Sequence, residues 1–321
     1  MTDSSSFRLV LTTPEPEITD AIRTRFPDIQ LEICNDAAKL PQLVKDFDPQ
    51  AAFIVAQWKV DPAGWAALQA GASMRWLHIG TVGYERVPRW DAARLTVTNS
   101  GGSAADEMAE FVIGSILMAN MDFLTVRDNQ RRKVWRQDSW SPLRGKTLAV
   151  VGAGAIGGRI IAKAADLGMR IVAVRNSAQP VERADLTLPV AKLHEALSQA
   201  DYVSLQIPHN SRTEHLIDAK ALAAMRPSAW LVNVARGKVV DTAALIEALE
   251  KKRIGGAVLD VFEQEPLPQD SRLWELDNVF VTPHIAGQVT NWYLIVADLF
   301  CDNLARFRSG QPLVNIVSHQ G

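Results

Sequence analysis

The chain has 321 residues, 47% hydrophobic and 22% charged, with a formal net charge of −2. That length carries two domains with ample cores, and the near-neutral charge gives no bulk attraction to nucleic acid or to an anionic membrane. Two cysteines, Cys34 and Cys301, lack metal-ligand spacing, so no metal site is expected and the composition fits a reducing compartment. MTDSSSFRLV has no basic region followed by an apolar core, and no apolar run approaches the roughly 20 residues that span a bilayer. A cytoplasmic globular protein with no membrane partner is the expectation.

In chain order, RLVLT (8–12), AAFIV (51–55) and WLHIG (76–80) read as strands, with helical stretches between them such as DPAGWAALQA at 61–70. SAADEMAEFVIGSILMANMDF (103–123) follows as a helix, with Ser103 and Asp106 in the spacing of a capping box. A polar, basic stretch at 127–146 precedes a second set of strands: TLAVV (147–151), RIVAV (170–174), YVSLQ (202–206), WLVNV (230–234), GAVLD (256–260) and NVFVT (278–282). A helix-like segment at 290–310 is expected to return the chain to the first unit. Strands alternating with helices throughout predict an α/β protein with largely parallel sheets.

TLAVV runs into GAGAIGGRI, where Gly152, Gly154 and Gly157 satisfy G-x-G-x-x-G. Taken alone the pattern is weak, and a turn needed only for packing would explain it. Here a strand precedes it, an amphipathic helix follows, and a second strand completes the unit, which favours dinucleotide binding. The helix start at Ala155 and Ile156 offers amides and a partial positive charge to a pyrophosphate. Arg175 stands 18 residues after Gly157, where an acid would accept from the ribose of NAD. A guanidinium there, with donors from Asn176 and Ser177, suits a 2′-phosphate, so NADP(H) is favoured and NAD(H) allowed. The alternative is a solvated arginine that tolerates either cofactor.

Three polar residues stand at the ends of successive strands: Arg236 in NVARG, Asp260 in GAVLD and His284 in TPHIAG, each 24 residues from the next. In one parallel sheet all three leave the carboxyl edge, where open α/β sheets bind ligands. Arg236 can hold a carboxylate as a fork, and His284 can exchange a proton with an oxygen. Glu265, in VFEQEPLP, is a candidate to hydrogen-bond His284. Singly each has an ordinary explanation as a surface or turn residue; together they point to one reaction.

With these pieces the chain resembles the D-isomer-specific 2-hydroxyacid dehydrogenases, in particular members like glyoxylate/hydroxypyruvate reductases. The matching segments are GAGAIGGRI, NVARG, GAVLDVFEQEPLP and TPHIAG, with PHNSRTEHLID and VTNSGGSAADEMAEFVIGSIL in support; they cover most of residues 75–316. The resemblance implies a two-lobed protein, a Rossmann-type cofactor domain (100–288) inserted into a flavodoxin-like substrate domain (1–99 and 289–321). It implies Arg236 as carboxylate anchor, His284 as acid/base, Glu265 as its partner and Asp260 against the nicotinamide carboxamide. Pro208 and Thr213 fall to the cofactor, the amides of Val82 and Gly83 to the substrate carboxylate, and the assembly to a homodimer. The chain departs from the pattern at Arg175, at Tyr84–Glu85 in GTVGYE, and at His209, which stands near the adenosine side. Trp58 either narrows the substrate pocket or packs the lobe.

The expected reaction is reversible hydride transfer between NAD(P)H and a small 2-oxo acid. A non-enzymatic dinucleotide sensor of the same fold is the rival, and a methyltransferase with a Gly-rich loop has little support.

Overall fold

The computed structural model describes residues 7–177 and 179–318. The chain divides into two compact units, residues 1–103 with 290–321, and residues 104–289. The first begins with β1 (Arg8–Leu11), α1 (Pro16–Arg25), β2 (Gln30–Ile33), α2 (Leu40–Phe47), β3 (Ala51–Ile54), α3 (Pro62–Ala70), β4 (Trp76–Ile79) and β5 (Thr96–Asn99). The second holds α4 (Ala105–Asn120), α5 (Phe123–Arg131), β6 (Thr147–Val151), α6 (Ala155–Asp166), β7 (Arg170–Arg175), β8 (Leu186–Pro189), α7 (Leu193–Gln199), β9 (Tyr202–Leu205), α8 (Ala219–Ala224), β10 (Trp230–Asn233), α9 (Thr242–Glu250), β11 (Gly256–Leu259) and β12 (Val279–Val281). Helix α10 (Trp292–Arg308) belongs to the first unit.

In the first unit five parallel strands run in the order β2-β1-β3-β4-β5, the flavodoxin-like arrangement. The apolar runs LVL, AAFI and WLHI fill the centre because a parallel sheet covered by helices buries both faces of its inner strands. Alternate side chains part to opposite sides: Leu9 and Leu11 meet Ile18 of α1 and Phe300 of α10, while Val10 meets Val44 of α2 and Leu68 of α3. Asp61 caps α3 by accepting from the Gly64 amide at 2.6 Å, with Pro62 at the first helical position.

The second unit is a seven-stranded parallel sheet, β12-β11-β10-β9-β6-β7-β8, in which the order reverses beside β6. Helices α7, α8 and α9 cover one face and α4 and α6 the other, giving two separate apolar layers. Among the described residues no single helix is long and apolar enough to cross a membrane.

Two sequence expectations need correction. Ser103 does not cap α4: the helix begins at Ala105 with no side-chain cap, and the Ser103 amide donates to the Ser100 carbonyl at 3.1 Å. A turn through Gly102 at φ 80° claims Ser103 first, and Asp106 pairs instead with Arg159 and Lys163 of α6 at 3.4 and 3.8 Å. Strands β2, β5 and β8 are absent from the sequence reading, and each is an edge strand with a single neighbour.

Candidate active site

The glycine turn follows β6. Gly152 has φ 104°, and a Cβ there would lie 2.6 Å from the Gln206 carbonyl oxygen. A Cβ on Gly157 would lie 2.0 Å from the Gly152 oxygen, so α6 can approach the turn only because residue 157 has no side chain. Nothing stands within 4 Å of a Cβ position on Gly154, which precedes α6 without any side-chain cap. The amides of Ala155 and Ile156 lie in the uncapped first turn of α6, a helix start of the kind that fits a dinucleotide pyrophosphate.

Arg175 closes β7, next to β6, and is half-buried. No ion pair of Arg175 and no hydrogen bond of its side chain, or of those of Asn176 and Ser177, occurs among the described residues. Beyond β9, the Thr213 hydroxyl donates to the Pro208 carbonyl at 2.7 Å and accepts from the Asn210 amide at 2.8 Å, closing the 208–213 loop on itself. His209 is half-buried in that loop, and its Nε2 is a buried atom without a partner among the described residues. Gln206, which the sequence reading passed over, has a buried Oε1 in the same condition. The side chain of Trp58 lies outside the described residues.

Arg236, Asp260 and His284 leave the same edge of the sheet, because β10, β11 and β12 are parallel neighbours with Asn233 beside Leu259 and Leu259 beside Val281. Buried Asn233 shapes the first exit: its Oδ1 accepts from the Ala235 amide at 3.0 Å and its Nδ2 donates to the Arg236 carbonyl at 3.2 Å. The Arg236 side chain lies back along its own strand end, Nη1 donating to the Ala235 carbonyl at 2.7 Å. Gly237 next to it admits no side chain, since a Cβ would lie 1.8 Å from the Phe262 carbonyl carbon.

His284 Nδ1 is 2.8 Å from Glu265 Oε2, and Glu265 Oε1 accepts from the Phe262 amide at 3.0 Å. Both carboxylate oxygens are thus committed, one to the backbone and one to the imidazole. An ionised carboxylate only accepts, so Nδ1 carries the proton and Nε2 is the atom left for a substrate. The His284 side chain is 50% exposed.

Asp260 is 1% exposed, and its carboxylate accepts from its own chain: Oδ1 from Thr282 Oγ1 at 2.6 Å and the Ile285 amide at 2.8 Å, and Oδ2 from the Ala286 amide at 2.9 Å. Its carbonyl takes the His284 amide at 2.9 Å. Asp260 is a brace for the loop that carries His284, holding that residue at φ 56°.

In the first unit, Val82 and Gly83 lie in the loop after β4. The Val82 carbonyl accepts from Asn99 Nδ2 at 2.5 Å, and the Thr81 carbonyl from the Ser100 amide at 3.2 Å. The Tyr84 hydroxyl donates to the Ser318 carbonyl at 3.1 Å. No group of three or more His, Cys, Asp or Glu side chains able to hold a metal occurs among the described residues.

Residues 113–286 match the family described as D-isomer specific 2-hydroxyacid dehydrogenase, NAD binding domain. The chain belongs to this family. It is 32% identical over 286 residues to a glyoxylate reductase of Korarchaeum cryptofilum, covering 86% of this chain and 84% of the relative. A D-isomer specific 2-hydroxyacid dehydrogenase family protein from Aeromonas salmonicida superposes with a TM-score of 0.81 at 28% identity, over 98% of this chain and 99% of that one. A dehydrogenase of the same description from Xanthobacter autotrophicus, solved with NADPH and MES, gives 0.83 at 26% identity over 98% of both chains. The protein is an NAD(P)-dependent oxidoreductase acting on 2-hydroxyacid substrates.

Proposed function

We propose that the protein catalyses reversible hydride transfer between NAD(P)H, with NADPH preferred, and a small 2-oxo acid, yielding the D-2-hydroxy acid. The observation that carries this reading is the His284–Glu265 pair at 2.8 Å, on the same sheet edge as Arg236. The unit at 104–289 is assigned as the cofactor domain and the remainder as the substrate domain. When bound, the nicotinamide supplies or receives the hydride.

In the reducing direction Arg236 takes the substrate carboxylate in a fork, and the amides of Val82 and Gly83 are assigned to a carboxylate as well. His284, as imidazolium, donates the Nε2 proton to the carbonyl oxygen, while Glu265 fixes the ring through Nδ1. In oxidation the neutral imidazole takes the proton back. Gly152, Gly154, Ala155, Ile156 and Gly157 cradle the pyrophosphate, and the loop closed by Pro208 and Thr213 borders the cofactor. Arg175, Asn176 and Ser177 receive the 2′-phosphate. The absence of any ion pair for Arg175 among the described residues supports this, as does the NADPH of the Xanthobacter relative. The glyoxylate reductases among the relatives support a small oxo acid.

A panel of 2-oxo acids headed by glyoxylate, assayed with both NADH and NADPH, tests the proposal. Turnover of none rejects the reaction, and a higher kcat/KM with NADH rejects the role of Arg175. A cytoplasmic homodimer completes the proposal. Trp135, 91% exposed, gives association an apolar surface, and a single monomer boundary in sedimentation velocity rejects it.

A further inference from the structure

Gln57 opens the short turn Gln57–Lys59 that follows β3, and only 6% of it is exposed. Its Nε2 donates to the Gly83 carbonyl at 2.7 Å and to Thr81 Oγ1 at 3.1 Å. Thr81 Oγ1 passes its own proton to the same Gly83 carbonyl at 2.7 Å. Because that carbonyl only accepts, the amide orientation is fixed with the nitrogen toward the loop. The opposite atom, Oε1, is buried with no partner among the described residues, a condition that costs stability. A side chain held at that cost needs a reason beyond filling space.

The reason lies in three successive peptide planes. In a trans peptide the N–H points opposite to the preceding C=O. The Thr81 carbonyl is held by the Ser100 amide, the Val82 carbonyl by Asn99 and the Gly83 carbonyl by Gln57 and Thr81. Each hold turns the following amide the other way, so Val82, Gly83 and Tyr84 present consecutive N–H groups, none with an acceptor among the described residues. Runs of amides of this kind bind anions.

We infer that Gln57 is a positioning residue for carboxylate recognition, aiming the Tyr84 amide as a third donor beside those of Val82 and Gly83. This rests on the proposal that the Val82 and Gly83 amides bind carboxylate. Thr81 links the first and third planes, so loss of Gln57 loosens the whole run.

The test is calorimetric titration of oxamate, a non-reacting 2-oxo acid mimic, into protein saturated with NADPH or NADH. In Gln57→Met oxamate binding is expected to weaken tenfold or more, with dinucleotide affinity within twofold of wild type. Gln57→Glu gives a signature that a purely structural role does not: an ionised carboxylate cannot donate to Gly83, but a protonated one can. Its oxamate affinity relative to wild type at the same pH should be poorest at pH 8 and recover as pH falls towards 5. Unchanged oxamate affinity in Gln57→Met, whatever its thermal stability, overturns the inference; so does a flat ratio in Gln57→Glu. Wild-type protein that binds oxamate without reducing any 2-oxo acid overturns the proposed reaction alone, and the affinity ratios still decide for Gln57. Wild type that binds no oxamate overturns the carboxylate reading and the Gln57 role together.

Discussion

Two loops of this molecule are built on opposite principles. The loop after β12 is held by its N–H groups: the Asp260 side chain and carbonyl accept from the amides of His284, Ile285 and Ala286. The loop after β4 is held by its C=O groups, through the donors of Ser100, Asn99, Thr81 and Gln57. A loop whose amides are consumed has only side chains left as donors, and it offers His284. A loop whose carbonyls are consumed offers its backbone amides. The first is suited to moving a proton and the second to holding an anion, and the difference lies in which half of the peptide group the scaffold takes up.

The largest effect that bears on this contrast is the loss of the side chain itself. His284→Ala should lower kcat on the order of 10²–10⁴-fold, the usual cost of a lost acid/base; steady-state turnover near the wild-type value removes His284 from the chemistry. Asp260→Ala leaves buried donors at Thr282, Ile285 and Ala286 unpaired, and a displaced catalytic group can cost up to about 10²-fold in rate. Here kcat should fall together with the thermal midpoint. A fall in the midpoint alone would show that the His284 loop keeps its geometry without the brace.

The carbonyl-held loop rests on a different support. His78, fully buried in β4, bonds Thr98 through Nδ1 at 2.8 Å and Ser100 through Nε2 at 3.2 Å, and burial pushes its pKa down to about 3. Neutral in the fold and chargeable when unfolded, it contributes stability that is fully present above pH 6.5 and lost as pH falls towards 3, by about 1.4 kcal/mol per unit. Urea unfolding at pH 7 and pH 5 should therefore differ by roughly 2 kcal/mol from this group, and His78→Gln should flatten the difference. An equal pH slope in both proteins rejects His78 as its source. The smallest effect belongs to Asn99→Leu, which frees the Val82 carbonyl. It should raise KM for the oxo acid about fivefold, a net hydrogen bond of about 1 kcal/mol, and leave KM for the dinucleotide alone. A change in kcat without one in KM contradicts the division between the two loops.

Much of this was legible in the residues. The central strands announce themselves as apolar runs because both their faces are buried, and the glycine turn shows because no other residue fits at 152 or 157. Two strands escape for different reasons: QLEI at the edge strand β2 is only partly buried, and TVTN at β5 is buried but carries polar side chains where an apolar run would announce a strand. Ser103 misleads for a related reason, as a capping pattern is local and the turn through Gly102 that overrides it is not written in the pattern.

By itself the sequence determined the α/β alternation, the cofactor turn and the pairing of chemical types in Arg236, Glu265 and His284, because residue identity and spacing along parallel strands dictate them. Only the tertiary structure decided what the polar residues beneath these do. Asp260 braces the loop that carries His284, and Gln57 and Asn99, ordinary in sequence, hold carbonyls of the loop after β4. A hydrogen bond is made by direction as much as by type, and direction exists only once strands distant in sequence lie side by side.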